Sequence, residues 1–297
     1  MAVVVIINPV AGGRARPVGA RVDAARRAAI DAGESADVFV TEQAGHARAL
    51  ARAAREGGAR LVIAWGGDGT LNEVASQLAF TAVPLGIVAA GSGNGLAREL
   101  HVPTDPALAL SDALSAAPRP MDLGEIDGRL FVNIAGLGFD AHVASLFNQP
   151  DNRRRGFGGY VRVAARSLAA YESARYSIAA GDTNLDVRAF LVTVANAPQF
   201  GNGARIAPRA QVDDGLLDLV VIEERSRVRT VSQAHRLFNG TIERMRECTV
   251  RRIADATIAC ETPMTFHVDG EPVAGGTSVR VRALPGALQI AAPRRQA

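Results

Sequence analysis

Lysine is missing from the chain, and all 33 basic residues are arginine. No lysine-dependent mechanism is therefore available. Against 30 acidic residues the arginines leave a net charge of only +3, which gives a nucleic-acid partner no strong electrostatic push. Cysteine is nearly absent. Cys248 and Cys260 have no accompanying histidine or cysteine pair, so neither a disulfide framework nor a zinc site is indicated, and a reducing cytoplasm is the expected compartment. Long apolar runs are missing too. The run at residues 3–7 is far too short to span a bilayer, and it lacks the basic start and cleavage pattern of a signal peptide. A soluble protein, or one peripheral at the inner face of a membrane, is expected. The five histidines, His46, His101, His142, His235 and His267, have no ligand spacing.

What the chain does have is enough apolar material, 48% of 297 residues, for one large or two moderate domains. Residues 3–7 form a β-branched run closed by Asn8-Pro9, which predicts a buried strand. After Gly12-Gly13, an Ala- and Arg-rich stretch at 17–32 opens with proline and stops at Gly33, as a helix does. The unit repeats with a strand at 36–40, a helix at 45–56 and a strand at 61–65, then a helix at 71–80 and a strand at 85–89. A parallel α/β sheet follows from that alternation. After Met121 the pattern changes to strands joined by turns. A hairpin is expected around Asp127-Gly128, a helix at 159–173, and strands at 176–179, 190–196, 217–222 and 266–268. The expected division is an α/β domain at 1–122 and a mostly antiparallel β domain at 123–282, with the tail 283–297 free to pack back on the first.

Gly66-Gly67-Asp68-Gly69-Thr70 lies between a strand and a helix, where bare backbone N–H groups and the helix dipole favour a phosphate. Asp68 cannot bind phosphate itself, and suits a magnesium ion or its water shell. Alone, this segment is equally a capped turn. Gly91-Ser92-Gly93-Asn94-Gly95 follows the next strand, so two anion-friendly loops should emerge at one edge of the sheet. Asp269 and Glu271 could share one strand face and divide the carboxylate tasks of phosphoryl transfer, although Gly270-Glu271-Pro272 is equally an exposed turn. Asp213-Asp214-Gly215 reads as a turn into a strand. Gly136-Leu137-Gly138-Phe139-Asp140 fits a dinucleotide pattern but lacks its βαβ context. Arg153-Arg154-Arg155 before an aromatic, glycine-rich segment could touch anionic lipid, or be a solvated loop.

Taken together these motifs resemble the diacylglycerol kinase catalytic-domain family, which includes bacterial lipid kinases and sphingosine kinases and shares its nucleotide loop with NAD kinases. The resemblance rests on Asn8-Pro9 with Gly12-Gly13, Thr41 near Gly45-His46, Gly66 to Glu73, Gly91 to Ala97, Asn133 to Asp140, Asp213 to Asp218, and Asp269-Gly270-Glu271-Pro272. It implies an NAD kinase-like nucleotide domain followed by a β-rich acceptor domain, with ATP and acceptor meeting in the cleft between them. It also implies ATP contacts from Asn8, Arg14, Thr41, Gly66, Gly67, Asp68, Gly69, Thr70, Leu71, Asn72, Glu73, Gly91, Ser92 and Asn94. Asp269 and Glu271 would flank the acceptor hydroxyl, one of them as proton acceptor, with Asp68 on the metal side. A structural Mg²⁺ would be held by Asp214 with the carbonyls of Gln211 and Leu216.

Two departures stand out. Gly95 occupies a place where many bacterial members carry Asp, and Arg14 and Arg16 replace the lysine that often follows the first glycine loop. The function expected is an ATP- and Mg²⁺-dependent kinase of a lipid alcohol, working in peripheral contact with a membrane surface and with no nucleic-acid partner. A homodimer stays open. A kinase of a soluble hydroxyl acceptor, in the manner of NAD kinase, and a non-catalytic lipid- or nucleotide-binding homologue are the alternatives.

Overall fold

A computed structural model describes residues 2–12, 17–149 and 156–293. The chain divides into two units, Met1–Met121 with Gly286–Ala297, and Asp122–Pro285.

The first unit alternates strand and helix: β1 (Val3–Ile7), α1 (Val18–Asp31), β2 (Ala36–Val40), α2 (His46–Glu56), β3 (Leu61–Gly66), α3 (Asp68–Leu78), β4 (Leu85–Ala89), α4 (Gly95–Glu99) and α5 (Pro106–Ser115). All residues of β1 and β3 are buried, as in a parallel strand covered on both faces. β1 pairs in parallel with β2 and β3, and β3 with β4. Trp65, Ile63 and Val5 pack with Ala25, Ala109, Leu110 and Ala113 to form the core. α1 follows Pro17 and stops before Gly33, whose φ of 73° is left-handed, as its start and stop signals predict.

Asp105 caps α5 by accepting the N–H groups of Ala107 and Leu108, and the chain then enters the second unit along β5 (Arg119–Ile126). There follow β6 (Arg129–Phe131), β7 (Ile134–Gly138), α6 (Phe139–Phe147), α7 (Phe157–Ser167), β8 (Ala174–Ala180), β9 (Thr183–Ala195), β10 (Leu217–Glu223), α8 (Arg227–Ser232), α9 (His235–Asn239), β11 (Cys248–Ile253), β12 (Asp255–Cys260), β13 (Thr265–Val268), β14 (Glu271–Ala274) and β15 (Ser278–Ala291). Within this unit the pairs β5–β6, β7–β9, β7–β13, β8–β9, β8–β12, β9–β10, β10–β11, β12–β15 and β13–β14 are antiparallel. β9 is its hub. Residues 183–189 pair with β8, while 191–195 lie between β7 and β10. Phe131, Tyr176, Val192, Leu219, Ile258 and Phe266 are among the buried core. β15 begins beside β12, and its Ile290 and Ala291 pair in parallel with Leu85 and Gly86 of β4.

The α/β unit and the mostly antiparallel β unit are those expected from the pattern, with informative differences. The hairpin forms where Asp127 and Gly128 both take positive φ, 50° and 76°, the signature of the tight turn that matches strand twist. α3 begins at Asp68 and not at residue 71, because Gly67 is an extended N-cap and the acid takes the first turn, where the helix dipole favours it. α6 was not anticipated at all, since Gly136 and Gly138 masked the helical run that begins beside them. The sequence pattern also gives no sign of β11, β12, β14, α8 or α9, and shows β15 only as a tail able to pack back on the first unit.

Candidate functional site

β3 and β4 are parallel neighbours ending at Gly66 and Ala89, so their following turns emerge at one sheet edge. The turns interlock. Ala90 N–H donates to Gly66 O at 2.8 Å, and a Cβ on Gly91 would lie 2.6 Å from Gly67 Cα. Only glycine allows two backbones to approach that closely. Asp68 then ties the two loops together, accepting Asn94 N–H on Oδ2 and Gly95 N–H on Oδ1, each at 2.9 Å. Asn94 has a left-handed φ of 51° and bonds Gly91 twice, accepting its N–H at 2.8 Å and donating to its O at 2.9 Å.

Neighbouring strands add to this edge. Asn8, just after β1, donates to Thr70 Oγ1 at 2.9 Å and accepts Val10 N–H at 3.1 Å. Arg21, a buried arginine that the sequence pattern did not single out, donates to Asn8 O at 3.2 Å. Thr41 N–H donates to Ile7 O, extending the β1–β2 ladder. Thus Asn8, Thr41, Gly66 to Asn72 and Gly91 to Asn94 follow adjacent strands of one sheet. Ser92 is exposed. Leu71 is buried, and its N–H donates to Gly67 O at 3.0 Å. Glu73 serves a different partner: its carboxylate accepts Gly45 N–H at 2.9 Å and Arg48 N–H at 3.3 Å, capping α2. Arg14 and Arg16, like Arg153, Arg154 and Arg155, lie outside the described residues.

The β unit carries the other carboxylates. Val268 pairs with Glu271, so Asp269 and Gly270 are the two turn residues of the β13–β14 hairpin, with φ of 48° and 89°. The shared strand face expected for Asp269 and Glu271 does not form, because Asp-Gly is itself the preferred two-residue turn. Asp269 points its carboxylate at backbone: Oδ2 accepts Val132 N–H, and Oδ1 accepts Asn133 N–H and Ile134 N–H, all at 2.9 Å. Its own N–H donates to Ile134 O. Glu271 is exposed. Beneath the turn, Asn133 donates to Gln199 O at 2.8 Å, and Asn196 donates to Asp122 O and Val132 O at 2.9 Å.

Two cation positions can be tested against these residues. Among the described residues no group of three or more His, Cys, Asp or Glu could hold a metal. Near the glycine loops, Asp68 offers one carboxylate, which fits a magnesium ion shared with nucleotide phosphates and water. At the second position the fit is poor. Asp214 Oδ1 accepts Leu216 N–H at 3.0 Å, and Oδ2 is ion-paired with Arg252. Its charge is thus met by a guanidinium. Asp122 Oδ2 accepts Gly215 N–H at 2.6 Å and holds the same loop. Beside it, burial pushes the Asp218 carboxyl up to about 6, with Arg252 opposing the shift and Asp214 adding to it. Burial likewise pushes the Cys248 thiol up to about 12, which makes it a structural group and not a nucleophile.

Comparison with known proteins agrees with this layout. Residues 2–126 match the model of the diacylglycerol kinase catalytic domain, and residues 133–292 match the YegS C-terminal NAD kinase beta sandwich-like domain. A protein of Chromohalobacter salexigens described as "Probable lipid kinase YegS-like" is 33% identical over 271 residues, covering 90% of this chain and 87% of that one. One of the same description from Pseudomonas aeruginosa PAO1 is 32% identical over 276 residues, covering 92% and 89%. The fold is also that of a crystal structure of a diacylglycerol kinase from Bacillus anthracis, with a TM-score of 0.76 at 19% identity over 98% of this chain and 97% of that one.

Proposed function

Because the chain belongs to the diacylglycerol kinase catalytic-domain family of lipid kinases, we propose that it transfers the γ-phosphoryl group of ATP to the hydroxyl of a lipid alcohol such as a diacylglycerol or a sphingoid base. The observation that carries this reading is the pair of glycine loops interlocked through Asp68 at the carboxyl edge of a parallel sheet. Loop amides and the α3 N-terminus hold the triphosphate, and Ser92 supplies an exposed hydroxyl beside it. Magnesium, brought with the nucleotide and held on the protein side by Asp68, would neutralise charge on the transferring group.

On the acceptor side the two carboxylates divide the work differently from a pair on one strand. Asp269, engaged by backbone N–H groups, holds the turn. Glu271, exposed at the start of β14, takes the proton of the attacking hydroxyl as the new P–O bond forms and the ADP oxygen leaves. In this reading the lipid acceptor is met at a membrane surface in peripheral contact; among the described residues no helix is long and apolar enough to cross a membrane.

Incubating the purified protein with labelled ATP, Mg²⁺ and vesicles containing a panel of lipid alcohols tests the reading. Label should enter a lipid phosphate. Transfer only to soluble alcohols would reassign the acceptor, and no transfer to any alcohol would refute the kinase reading.

A further inference from the structure

The turn preceding Glu271 is gripped from behind by groups that take no part in the chemistry above. β13 delivers His267, 4% exposed, two residues before Asp269. Its Nδ1 accepts Gly270 N–H at 3.3 Å, so Nδ1 carries no proton and the ring hydrogen of the neutral imidazole sits on Nε2. Nε2 faces Asp140 Oδ2, also at 3.3 Å. Asp140 lies in the first turn of α6, buried, and accepts the Thr193 hydroxyl on Oδ2 at 3.1 Å and Ala141 N–H on Oδ1 at 2.8 Å. A buried carboxylate is tolerable when donors surround it in this way.

Gly136 makes room for the pair. A Cβ there would stand 2.1 Å from Asp140 Oδ2 and 2.7 Å from His267 Nε2. The spacing that formally resembled a dinucleotide loop is therefore a packing requirement for an acid and an imidazole. The far end of the same helix also holds the turn, since Asn148 donates from Nδ2 to Gly270 O at 2.9 Å. α6 thus fixes the N–H of Gly270 through Asp140 and His267, and its carbonyl through Asn148.

We propose that Asp140 and His267 are positioning residues for phosphoryl transfer: the buried carboxylate selects the Nε2–H tautomer, Nδ1 then anchors Gly270, and the anchored turn sets the place of Glu271. The inference rests on the reading of Glu271 as proton acceptor. Its logic is that of a carboxylate fixing an imidazole tautomer, where replacing the acid by its amide leaves the shape intact and reverses the hydrogen bonding.

The test is a set of variants assayed for kcat, for KM toward ATP and for melting temperature. In Asp140→Asn the oxygen stays with Ala141 N–H, the amide nitrogen faces His267, and the ring proton moves to Nδ1 against Gly270 N–H. That variant should lose about 10- to 100-fold in kcat, the usual effect of removing a supporting partner, with KM for ATP unchanged. His267→Asn places an acceptor near Nδ1 that needs no tautomer selection, and should keep most of the rate. His267→Gln reaches Asp140 but not Gly270 and should be as slow as Asp140→Asn. The double variant Asp140→Asn/His267→Asn should match His267→Asn alone.

Losses that multiply in the double variant, or a faster His267→Gln than His267→Asn, would overturn the proposal. So would an Nδ1-protonated His267 in the ¹⁵N spectrum of the wild-type ring, a measurement that needs no turnover. Wild-type protein inert toward every lipid alcohol sinks the functional reading underneath; active wild-type with full rate in Asp140→Asn sinks this inference alone.

Discussion

The Asp68 carboxylate and the Asn94 backbone N–H stand 2.9 Å apart, joining two loops that are 26 residues distant in sequence. With Gly95 N–H on the other oxygen, a single side chain sets the spacing of the two glycine turns. In the proposed function its negative charge would also serve a nucleotide-bound cation.

Replacing Asp68 by Asn removes that charge and offers a donor to one of two N–H groups. Hydrogen bonds to a charged group contribute about 1.5–3 kcal/mol, so kcat/KM for Mg-ATP should fall by roughly 10- to 100-fold from loop spacing alone. Steady-state kinetics with varied ATP and Mg²⁺ will show it, and unchanged kcat/KM would remove Asp68 from the site.

Glu271 and Asp269 should separate when each is replaced by its amide. Glu271→Gln should lower kcat by about 10²- to 10⁴-fold, as for loss of a general base, with an unchanged melting temperature because the side chain is exposed. Asp269→Asn should lower both, since one acceptor oxygen of the clasp on Val132, Asn133 and Ile134 is lost. Equal loss of rate and stability in both variants would reject the division of roles.

Asp218 makes stability depend on pH. Its carboxyl titrates near 6 in the folded chain because of burial, above the 3.8 of an unperturbed group. Between those values the folded state binds more protons than the unfolded one, so this group's contribution to stability falls as pH rises through that window. Asp218→Asn should therefore raise the melting temperature at pH 8, by roughly 2–4 °C for each kcal/mol relieved, and leave it unchanged at pH 3. A melting temperature lowered equally at both pH values would refute the effect.

The Arg252–Asp214 pair yields a prediction about metal. Chelation with EDTA in the absence of nucleotide should leave the melting temperature unchanged, because a guanidinium already meets the Asp214 charge. Arg252→Ala should destabilise by more than the 0–1 kcal/mol of a surface pair, since it uncovers both Asp214 and Asp218. A melting temperature that drops on chelation would restore a cation to that loop.

The α/β unit was legible because its signals are local. A β-branched strand, a glycine turn and a helix follow one another within a few residues, so the Gly66 and Gly91 loops could be placed on one sheet edge before any coordinates. The site residues of the β unit were legible only as motifs. Asp269 and Glu271 stood out as residues, yet the backbone groups that engage Asp269 belong to Val132, Asn133 and Ile134, far away along the chain. No spacing rule links position 269 to position 133. Arg21 was hidden in an arginine-rich helix where nothing marked it as the buried one. The link between Asp140 and His267 was not legible, because nothing in the spacing of Gly136 and Gly138 shows that its cause is the bulk of two side chains packed against Gly136.

β15 has a consequence for how the chain comes to be folded. Leu85 and Gly86 of β4 receive their partners Ile290 and Ala291 from the far end of the chain, about two hundred residues after β4 itself. During synthesis the first unit therefore emerges with one flank of β4 open, and an open flank is a template for pairing with other chains. Closing so distant a contact is slow. A ribosome-bound intermediate that displays an unpaired β4 is open to strand addition by other chains, and a chain stopped short of residue 286 would keep that flank open permanently.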